Sequence, residues 1–542
     1  MIYEEKTKFN ACYTGLAVLL LLVLFAPVFL EIQELFSDEG YYLTTVRELD
    51  SHLPLIKVHG YISSGGYPLY SVLVKLLTGG GFSMITALRL LPCLALLLLA
   101  GIVFLTNWKA KGLTSGIVGV AALMVNFITI EKFSDGNPVL LGSLGVFSTW
   151  MIWFALGVWR GDWKMAWIFS FLIGGLTFYA IGFTGLILIV LPMLFLRRPL
   201  TTWTKPRGIA FYLGLSFLVL FILLWGIPRW TAEEEAGWQQ TALSFPTIGE
   251  YLWHLVSFPF DAAIRFMPWT LFVWAPFCPA IVPLDDNPLL SRYLRTLFLG
   301  TFVLLWISPL TQSRDMFFMI PPLAVLLALN YWIVVRRYGW KILKFFQFIA
   351  VILVILCAAA ACCLLIPSES LPTMLSEPLY GIKHSPLLQI SLITVTAGLI
   401  FALISVVMCA RGARIWLTII TLSAAVILPY RGLVIPYQNL EKRKAEVGSR
   451  FRGSIPEKET PDLVYRMYNI PPLYSEMHYF DIRIKTIKTP EELPEDKPVV
   501  YVFASSVPSA PDRTWERLYA EFHRNQEIEL WKGKLKTEDD YE

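Results

Sequence analysis

The sequence is short of charge. Only 16% of its 542 residues are Asp, Glu, Lys or Arg, while 56% are hydrophobic. A water-soluble protein of this size could not cover so many apolar side chains, so the bilayer is the predicted solvent for most of the chain. The net charge of +4 is too small to indicate a nucleic-acid partner.

Several motifs of soluble enzymes and metal proteins are also absent from the sequence. There is no Walker A motif and no GxGxxG before a helix, which argues against an ATP-driven pump and a nucleotide-sugar enzyme with a Rossmann domain. The six histidines include no HExxH, so a zinc site has no support. None of the seven cysteines lies after Cys409, so the polar tail holds no disulfide.

Long apolar runs are what the sequence has in abundance. About thirteen of them could cross roughly 30 Å of hydrocarbon. They are 12–30, 85–106, 114–130, 138–158, 165–180, 184–196, 209–227, 266–283, 296–311, 316–335, 345–366, 388–409 and 415–430. No small-residue cleavage site follows the first run, which predicts an uncleaved membrane helix.

Basic residues in alternate loops predict the orientation. The loops that should be cytoplasmic by the positive-inside rule carry Lys109 and Lys111; Arg160 and Lys164; Arg197, Arg198, Lys205 and Arg207; Arg292 and Arg295; Arg336, Arg337, Lys341 and Lys344; Arg411 and Arg414. The opposite set should lie outside and includes 31–84, 131–137, 228–265, 367–387 and the tail after Tyr430. A basic cluster at 442–452 would by itself place the tail in the cytoplasm. Long polar domains, however, cross a membrane largely regardless of charge.

Two of the outer regions have predicted structure. Within 31–84, the apolar stretch Pro68–Leu77 is too short to span and is predicted to lie along the interface. In the tail, Val499–Ala504 has strand signals and Trp515–Arg524 has a helical pattern. The predicted organisation is an α-helical polytopic membrane domain, 1–430, followed by an extracytoplasmic α/β domain, 431–542.

The strongest chemical signal is the stretch Phe36–Tyr42, directly outside the first span. Its adjacent carboxylates, Asp38 and Glu39, repel each other and are costly near a membrane unless something uses them. Such a group can accept a proton from a hydroxyl or hold a cation that meets a phosphate. The structural alternative is that Ser37 or Asp38 caps a helix beginning near Glu39, and both interpretations can hold together.

An acidic pair followed by aromatic residues at this place resembles the first outer loop of the GT-C glycosyltransferases. Within that family, the stretch resembles the protein O-mannosyltransferases and the lipid A aminoarabinose transferase. Further stretches resemble family motifs in the same order: Gly66–Tyr70, Ala87–Pro92, Phe133–Pro138, Ser308–Pro322, Tyr474–Phe480 and Val499–Val502. The resemblance covers nearly the whole chain and implies a GT-C-type fold.

The resemblance also implies residue roles. Asp38 would be the base or the acid that positions the acceptor, Glu39 would support it, and Asp135 would be the second acid. Arg314 would grip the departing phosphate, as a guanidinium can do bidentately. Further candidates for substrate or phosphate binding are Arg89, Tyr41, Tyr42, Tyr67, Arg265 and His59. Arg89 could instead pair with an acid or snorkel at the interface, and His59 could be a surface-loop histidine.

Two positions depart from the family pattern. Relatives of the aminoarabinose type often carry a lysine in the outer turn near 179–185, where this chain has none. The missing charge shifts the predicted phosphate contact to Arg314 and Arg265. Relatives also often place an acid or a histidine beside the proline at 68, where this chain has Gly65, Gly66 and Tyr67.

The function implied by the resemblance is sugar transfer from a polyprenyl-phosphate donor to a glycolipid such as lipid A, or to a protein hydroxyl. The reaction would take place at the outer face of a bacterial inner membrane. The resemblance does not decide whether a divalent metal ion serves as a cofactor. One alternative is a transporter or flippase of a lipid-linked saccharide, which would require charges buried in mid-span and paired broken helices. Another is a structural membrane protein, whose acids would tolerate replacement.

Overall fold

The computed structural model describes residues 35, 37–49, 57–59, 61–63, 67–204, 208–236, 238–239, 246–367, 370, 379–384, 387–442, 444–523 and 526–536. The predicted span 12–30 lies outside these residues. So do the side chains of Ser37 and Asp38, although the backbone of both is helical.

Helices dominate the described chain. They are α1 Ser37–Arg47, α2 Pro68–Gly79, α3 Met84–Lys111, α4 Leu113–Met124, α5 Phe127–Lys132, α6 Val139–Ile152, α7 Trp163–Ile181, α8 Phe183–Leu194, α9 Ile209–Ala236, α10 Ile248–Arg265, α11 Thr270–Val273, α12 Pro288–Ile307, α13 Ile320–Leu365, α14 Leu387–Ala410, α15 Ile415–Pro429, α16 Ile435–Lys442, α17 Lys444–Gly453 and α18 Tyr474–Phe480. Two π-helical segments, Trp153–Trp159 and Tyr430–Val434, extend α6 and α15. Among the described residues, eight helices are long and apolar enough to cross a membrane, so this is a multi-pass membrane protein.

Two predicted spans are interrupted. The run 114–130 breaks after Met124, because the Asn126 side chain caps α5 by accepting the Thr129 N–H at 2.9 Å. The span predicted at 266–283 is wrong: this stretch holds only α11 and two 3₁₀ turns, Ala275–Phe277 and Val282–Leu284. Its four prolines each remove a helix donor. The total of about thirteen spans stays a prediction.

The predicted spans 316–335 and 345–366 fall in one helical run, α13. A straight run would place Ile320 and Phe346 about 39 Å apart. However, the 3₁₀ turn Ser313–Phe318 that leads into α13 packs against α5, and Phe346 lines a cavity with residues of the same short helix. The run therefore bends back, and the two predicted spans are its two arms.

The two long segments predicted to lie outside are largely helical where the structure describes them. Most of the predicted loop 228–265 belongs to the end of α9 and to α10, which begins with a capping box between Thr247 and Glu250. In the first outer segment, Pro68 stands at the start of α2, where its missing N–H costs no hydrogen bond. The interfacial position of α2 stays a prediction.

The described strands form two sheets. The small sheet joins β1 Lys57–Val58, β2 Tyr61–Ser63 and β3 Trp238–Gln239. The tail contains β4 Leu463–Met467, β5 Arg483–Ile487, β6 Val499–Ala504, β7 Arg513–His523 and β8 Gln526–Leu535 in the order β5-β4-β6-β8-β7. β4 is parallel to β5 and β6, whereas β8 is antiparallel to β6 and β7.

The tail confirms the predicted strand at Val499–Ala504 and corrects the predicted helix near Trp515–Arg524. That segment is β7, which pairs with β8 along nearly its whole length. Its Thr, Trp, Tyr and Phe side chains favour a strand, and the long-range pairing overrides the local helical pattern. With α18 against the sheet, the tail is a small α/β domain with its own apolar core.

Candidate functional site

The centre of the candidate site is a buried ion pair between α1 and α3. Arg89 donates from Nε to Glu39 Oε1 and from Nη2 to Oε2, both at 3.0 Å. The two side chains are 3% and 2% exposed. Such a pair withstands burial only with good geometry and further hydrogen bonds, and the Gly136 N–H supplies one to Glu39 Oε1 at 2.9 Å. Glu39 thus ties α1, α3 and the loop after α5 together.

Gly136 suits the close approach of that loop. A Cβ there would lie 2.4 Å from Leu88 Cδ2 and 3.2 Å from Glu39 Oε1. The next residues begin α6, since Asn137 Oδ1 accepts the Val139 N–H at 3.0 Å. The Asp-Gly-Asn-Pro sequence therefore places Asp135 directly beside the buried pair.

Asp135 is an acid of the site with one buried carboxylate oxygen that no described residue satisfies. Its Oδ2 lies 3.4 Å from Lys132 Nζ, while Oδ1 is buried without a hydrogen-bond partner among the described residues. Burial raises the pKa of Asp135 to about 7; Lys132 opposes this shift and the Glu39 charge adds to it. A carboxyl group with this pKa can exchange a proton near neutral pH.

A chain of ion pairs leads away from Asp135. Lys132 also lies 3.4 Å from Glu131 Oε1, and Arg265 Nη1 donates to Glu131 Oε2 at 2.9 Å. Arg265 further binds Asp261 on its own helix at 2.9 Å. Arg265, a predicted phosphate contact, is therefore neutralised by two carboxylates and joins the site through Glu131.

Arg431 is a site residue that the sequence analysis missed. It lies in the π-helical segment after α15, and its Nη2 donates to Ile130 O at 2.9 Å and Ser134 Oγ at 3.4 Å. The guanidinium stacks over Phe133 at 4.8 Å and interacts electrostatically with Asp135. An isolated arginine in the apolar run 415–437 was the signal that could have found it.

Tyr67 lies at a second cluster, by the turn between α7 and α8. Its ring stacks on Trp225 with centroids 5.4 Å apart and meets Phe178 edge-on. Arg229, a second missed residue, is buried there with its guanidinium 4.1 Å from the Trp225 ring centroid. The turn without a lysine therefore has an arginine from α9 beside it.

The remaining candidates lie around these clusters. Tyr41 and Tyr42 pack edge-on against Tyr474 and Tyr70, which couples α1 to the tail domain and to α2. His59 is buried rather than a surface histidine: its N–H donates to Glu48 and its carbonyl accepts the Thr486 N–H, both at 2.9 Å. Its described contacts are thus with Glu48 just after α1, with β5 and with the Tyr474 ring of α18, whose centroid lies 5.3 Å from that of His59.

Arg314 lies in the 3₁₀ turn Ser313–Phe318, which packs against α5 and α6. These helices flank the Asp135 loop, so Arg314 belongs to the same region, although no described contact joins the two side chains. Among the described residues, no group of three His, Cys, Asp or Glu could hold a metal ion. The metal therefore stays an open prediction, since the Asp38 side chain lies outside the described residues.

The described residues combine membrane-spanning helices with an α/β tail, and solved structures share this multi-pass membrane fold. ArnT from Cupriavidus metallidurans is similar in the apo state, with a TM-score of 0.69 and 15% identity over 96% of this chain and 98% of that chain. The structure of the same protein bound to undecaprenyl phosphate has a TM-score of 0.65 and 14% identity over 96% of this chain and 98% of that chain. An oligosaccharyltransferase from Archaeoglobus fulgidus has a TM-score of 0.47 and 13% identity over 90% of this chain and 65% of that chain. No family model and no curated protein matches the sequence. The likeness establishes the fold.

Proposed function

We propose that this chain is an integral membrane glycosyltransferase that moves a sugar from a polyprenyl-phosphate carrier to an acceptor. The reaction would take place at the outer face of the inner membrane, with the tail domain extracytoplasmic. The observation that carries the proposal is the buried Glu39–Arg89 pair, which draws the acidic start of α1 and the Asp135 loop to one place. The crystallised relative of the same fold binds undecaprenyl phosphate, which supports a polyprenyl-phosphate donor.

The acidic residues of the site are candidates for the base, and its basic residues are candidates for binding the phosphate. Asp38 or Asp135 would take the proton from the acceptor hydroxyl, whose oxygen attacks the anomeric carbon as the bond to the carrier phosphate breaks. A single displacement of this kind inverts the anomeric centre. The departing phosphate needs positive charge, for which Lys132, Arg314 and Arg431 are the candidates near Asp135 and Arg229 the candidate near the Tyr67 cluster.

An apolar groove beside the ion chain supports a lipid-linked donor. It encloses a cavity of about 200 Å³ between α5, the second arm of α13 and α15. Phe127, Phe345 and Val426 line it, and each is more than one-third exposed. The groove is therefore open at the surface of the helix bundle. Glu131, which begins the ion chain to Asp135, stands at its polar edge. An isoprenoid chain in the groove would hold its phosphate near that chain of charges.

The proposal is tested with purified protein in detergent. A panel of synthetic polyprenyl-phosphate monosaccharides is incubated with protein and a total membrane extract as the acceptor source. Mass spectrometry then follows the release of free polyprenyl phosphate. Turnover in detergent is expected, because the chemistry does not need two compartments. Movement of the lipid-linked sugar only across sealed vesicles, without bond cleavage, would instead establish a flippase.

Filling the apolar groove should selectively weaken the binding of donors with a long polyprenyl chain. Ile349→Trp is expected to raise KM for a donor with a full-length polyprenyl chain about tenfold, as expected when about two CH₂ groups of the chain lose their burial. KM for a donor with a short isoprenoid chain should stay unchanged. Steady-state kinetics with both donors measures the difference. Ile393→Trp, at an exposed isoleucine of α14 away from the groove, is the matched control. Equal effects on both donors would contradict the groove assignment.

The pH dependence should report the ionisation of Asp135. If Asp135 is the base, kcat should rise with pH through a midpoint near 7, because burial raises its pKa to about 7 and only the carboxylate accepts a proton. Lys132→Met should move the midpoint upward, since the Lys132 charge lowers this pKa. The pH profile of kcat for both proteins is the measurement, with Lys488→Met, an exposed lysine of the tail, as the control. A Lys132→Met midpoint at or below the wild-type value would contradict the assignment.

A further inference from the structure

The helix α10 carries an apolar stripe that the described residues leave open. Its large side chains follow one another at intervals of four residues: Ile248, Leu252, Val256, Phe260 and Ile264, each more than half exposed. Trp253, beside the stripe, is 71% exposed. Side chains on successive turns of a helix form one continuous surface, and an apolar surface of this length marks a contact with lipid or with protein.

The other two faces of α10 are protein-facing and polar. Phe258 and Ala262 are buried, and the Phe258 ring centroid lies 5.6 Å from that of Phe302 on α12. At about 3.6 residues per turn, the polar side chains fall on a third face: Glu250, His254, Ser257, Asp261 and Arg265. One helix thus divides its surface among protein, polar groups and an open apolar stripe, as helices at a membrane–water interface do.

The helices α3 and α12 cross the membrane in opposite directions. Lys111, the last residue of α3, binds Asp286 with Nζ and Oδ2 2.7 Å apart. Asn287, just before α12, donates to Ala110 O at 2.7 Å. Both helices are long and apolar enough to span. Because α3 ends where α12 begins, the start of α3 and the end of α12 lie together on the other side of the membrane.

Both ends of α10 are attached on that second side. Tyr251, near its start, donates from Oη to Ile307 O at the end of α12 at 2.9 Å. Arg265, its last residue, donates to Glu131 at 2.9 Å, and the loop after Glu131 meets the buried ion pair near the start of α3. An 18-residue helix that crossed the membrane would separate its ends by about 27 Å in depth. The attachments therefore place α10 along the membrane surface rather than across it.

The helix on which α10 packs is itself lipid-facing. Trp306 of α12 donates its indole N–H to Leu255 O of α10 at 2.7 Å. On the same spanning helix, Leu299, Val303 and Ile307 are each more than 40% exposed among the described residues. Apolar side chains on the open face of a spanning helix contact the hydrocarbon of the bilayer. Lipid is thus present beside α10 without any further partner.

We infer that α10 is an interfacial helix: its axis lies along the membrane surface on the side of the Glu39–Arg89 pair, and its apolar stripe inserts into the lipid leaflet there. Helices of this kind bury their apolar face about 5–10 Å into the boundary between headgroups and acyl chains. Through Asp261 and Arg265 on its polar face, the lipid-inserted helix is joined to Glu131 and the ion chain of the candidate site. The inference holds whether or not the chain transfers a sugar.

Spin labelling of the full-length protein in lipid nanodiscs measures the depth of α10. Single cysteines, Ile248→Cys, Val256→Cys and Ile264→Cys, are introduced into a variant whose seven native cysteines are replaced by alanine. Power saturation compares the collisions of each label with oxygen, which concentrates in lipid, and with a nickel chelate, which stays in water. All three labels should favour oxygen, with the label at Val256 the deepest because it lies in the middle of the stripe.

The two outer labels decide between a helix along the membrane and a helix across it. The depths at Ile248 and Ile264 should agree to within about 5 Å, one helical turn, whereas a spanning helix would separate them by about 24 Å. The matched control, Val507→Cys, replaces an exposed valine of the tail domain and should favour the nickel chelate.

A second measurement leaves the native cysteines in place. The photoreactive residue p-benzoylphenylalanine replaces Phe260 or, as the control, Val507, and the full-length protein is irradiated in nanodiscs. Mass spectrometry should find lipid adducts at Phe260 and none at Val507.

Each other outcome overturns the inference. A depth that changes steadily from Ile248 to Ile264 identifies a spanning helix. Labels that favour the nickel chelate, or a probe at Phe260 that forms no adduct, place the stripe in water. A cross-linked dimer identifies a second copy of the chain as the occupant of the stripe, and a cross-link within the chain identifies another of its segments.

Discussion

Asp135→Asn is expected to lower kcat by about two to four orders of magnitude, the usual contribution of a general base. The change is nearly isosteric and removes a carboxylate whose ionised form is disfavoured by burial, so the protein should remain folded. Lys132 keeps Glu131 as a partner. Release of polyprenyl phosphate under saturating donor measures kcat, and thermal unfolding in detergent reports the fold.

The matched control for this prediction is Asp162→Asn. Asp162 caps α7 by accepting the Met165 N–H at 3.1 Å, a role that asparagine can also fill. The kcat of the Asp162→Asn variant should equal that of the wild type. Asp38→Asn should behave like Asp135→Asn if the adjacent acid of α1 is the base and Asp135 assists it. Full activity in both Asp38→Asn and Asp135→Asn would remove the enzymatic interpretation of the acidic centre.

Arg89→Met is expected to have the largest effect on stability. It leaves the Glu39 carboxylate buried with the Gly136 N–H as its remaining described donor. Loss of one partner of a buried ion pair costs about 3–5 kcal/mol. The folded fraction after detergent extraction and the midpoint of thermal unfolding should both fall. Arg292→Met, at an exposed arginine, should leave both unchanged.

A double variant separates the charge from the packing. Glu39→Gln combined with Arg89→Met removes both charges, so much of the lost stability should return relative to Arg89→Met alone. A double variant as unstable as Arg89→Met would show that the methionine side chain, and not the loss of the Arg89 charge beside Glu39, disturbs the fold.

The tail domain contacts the segment that carries the acidic pair. Thr486 of β5 donates its N–H to the His59 carbonyl, and Arg47 of α1 binds Asp481. The tail is therefore attached to the helix that carries Asp38 and Glu39.

Much of the architecture could be predicted because it depends on local properties of the chain. The length of an apolar run and the position of prolines decide whether a segment can cross a bilayer as a helix. Where prolines were overlooked, as at 266–283, the prediction was wrong. At Trp515–Arg524 the pairing with β8 outweighed a local helical pattern.

Composition alone predicted a membrane-embedded protein with two acidic segments between its apolar runs, since hydrophobicity and charge are properties of neighbouring residues. Only the tertiary structure decided which charges meet: Glu39 binds Arg89, 50 residues away, and Arg431 reaches Ile130 across 301 residues. Such partnerships depend on helix packing and on distances of a few ångströms, because a buried charge is stable only where its partner is in hydrogen-bonding reach. The same packing buried Glu39 against Arg89 and placed Arg229 against Trp225, near the turn that lacks a lysine.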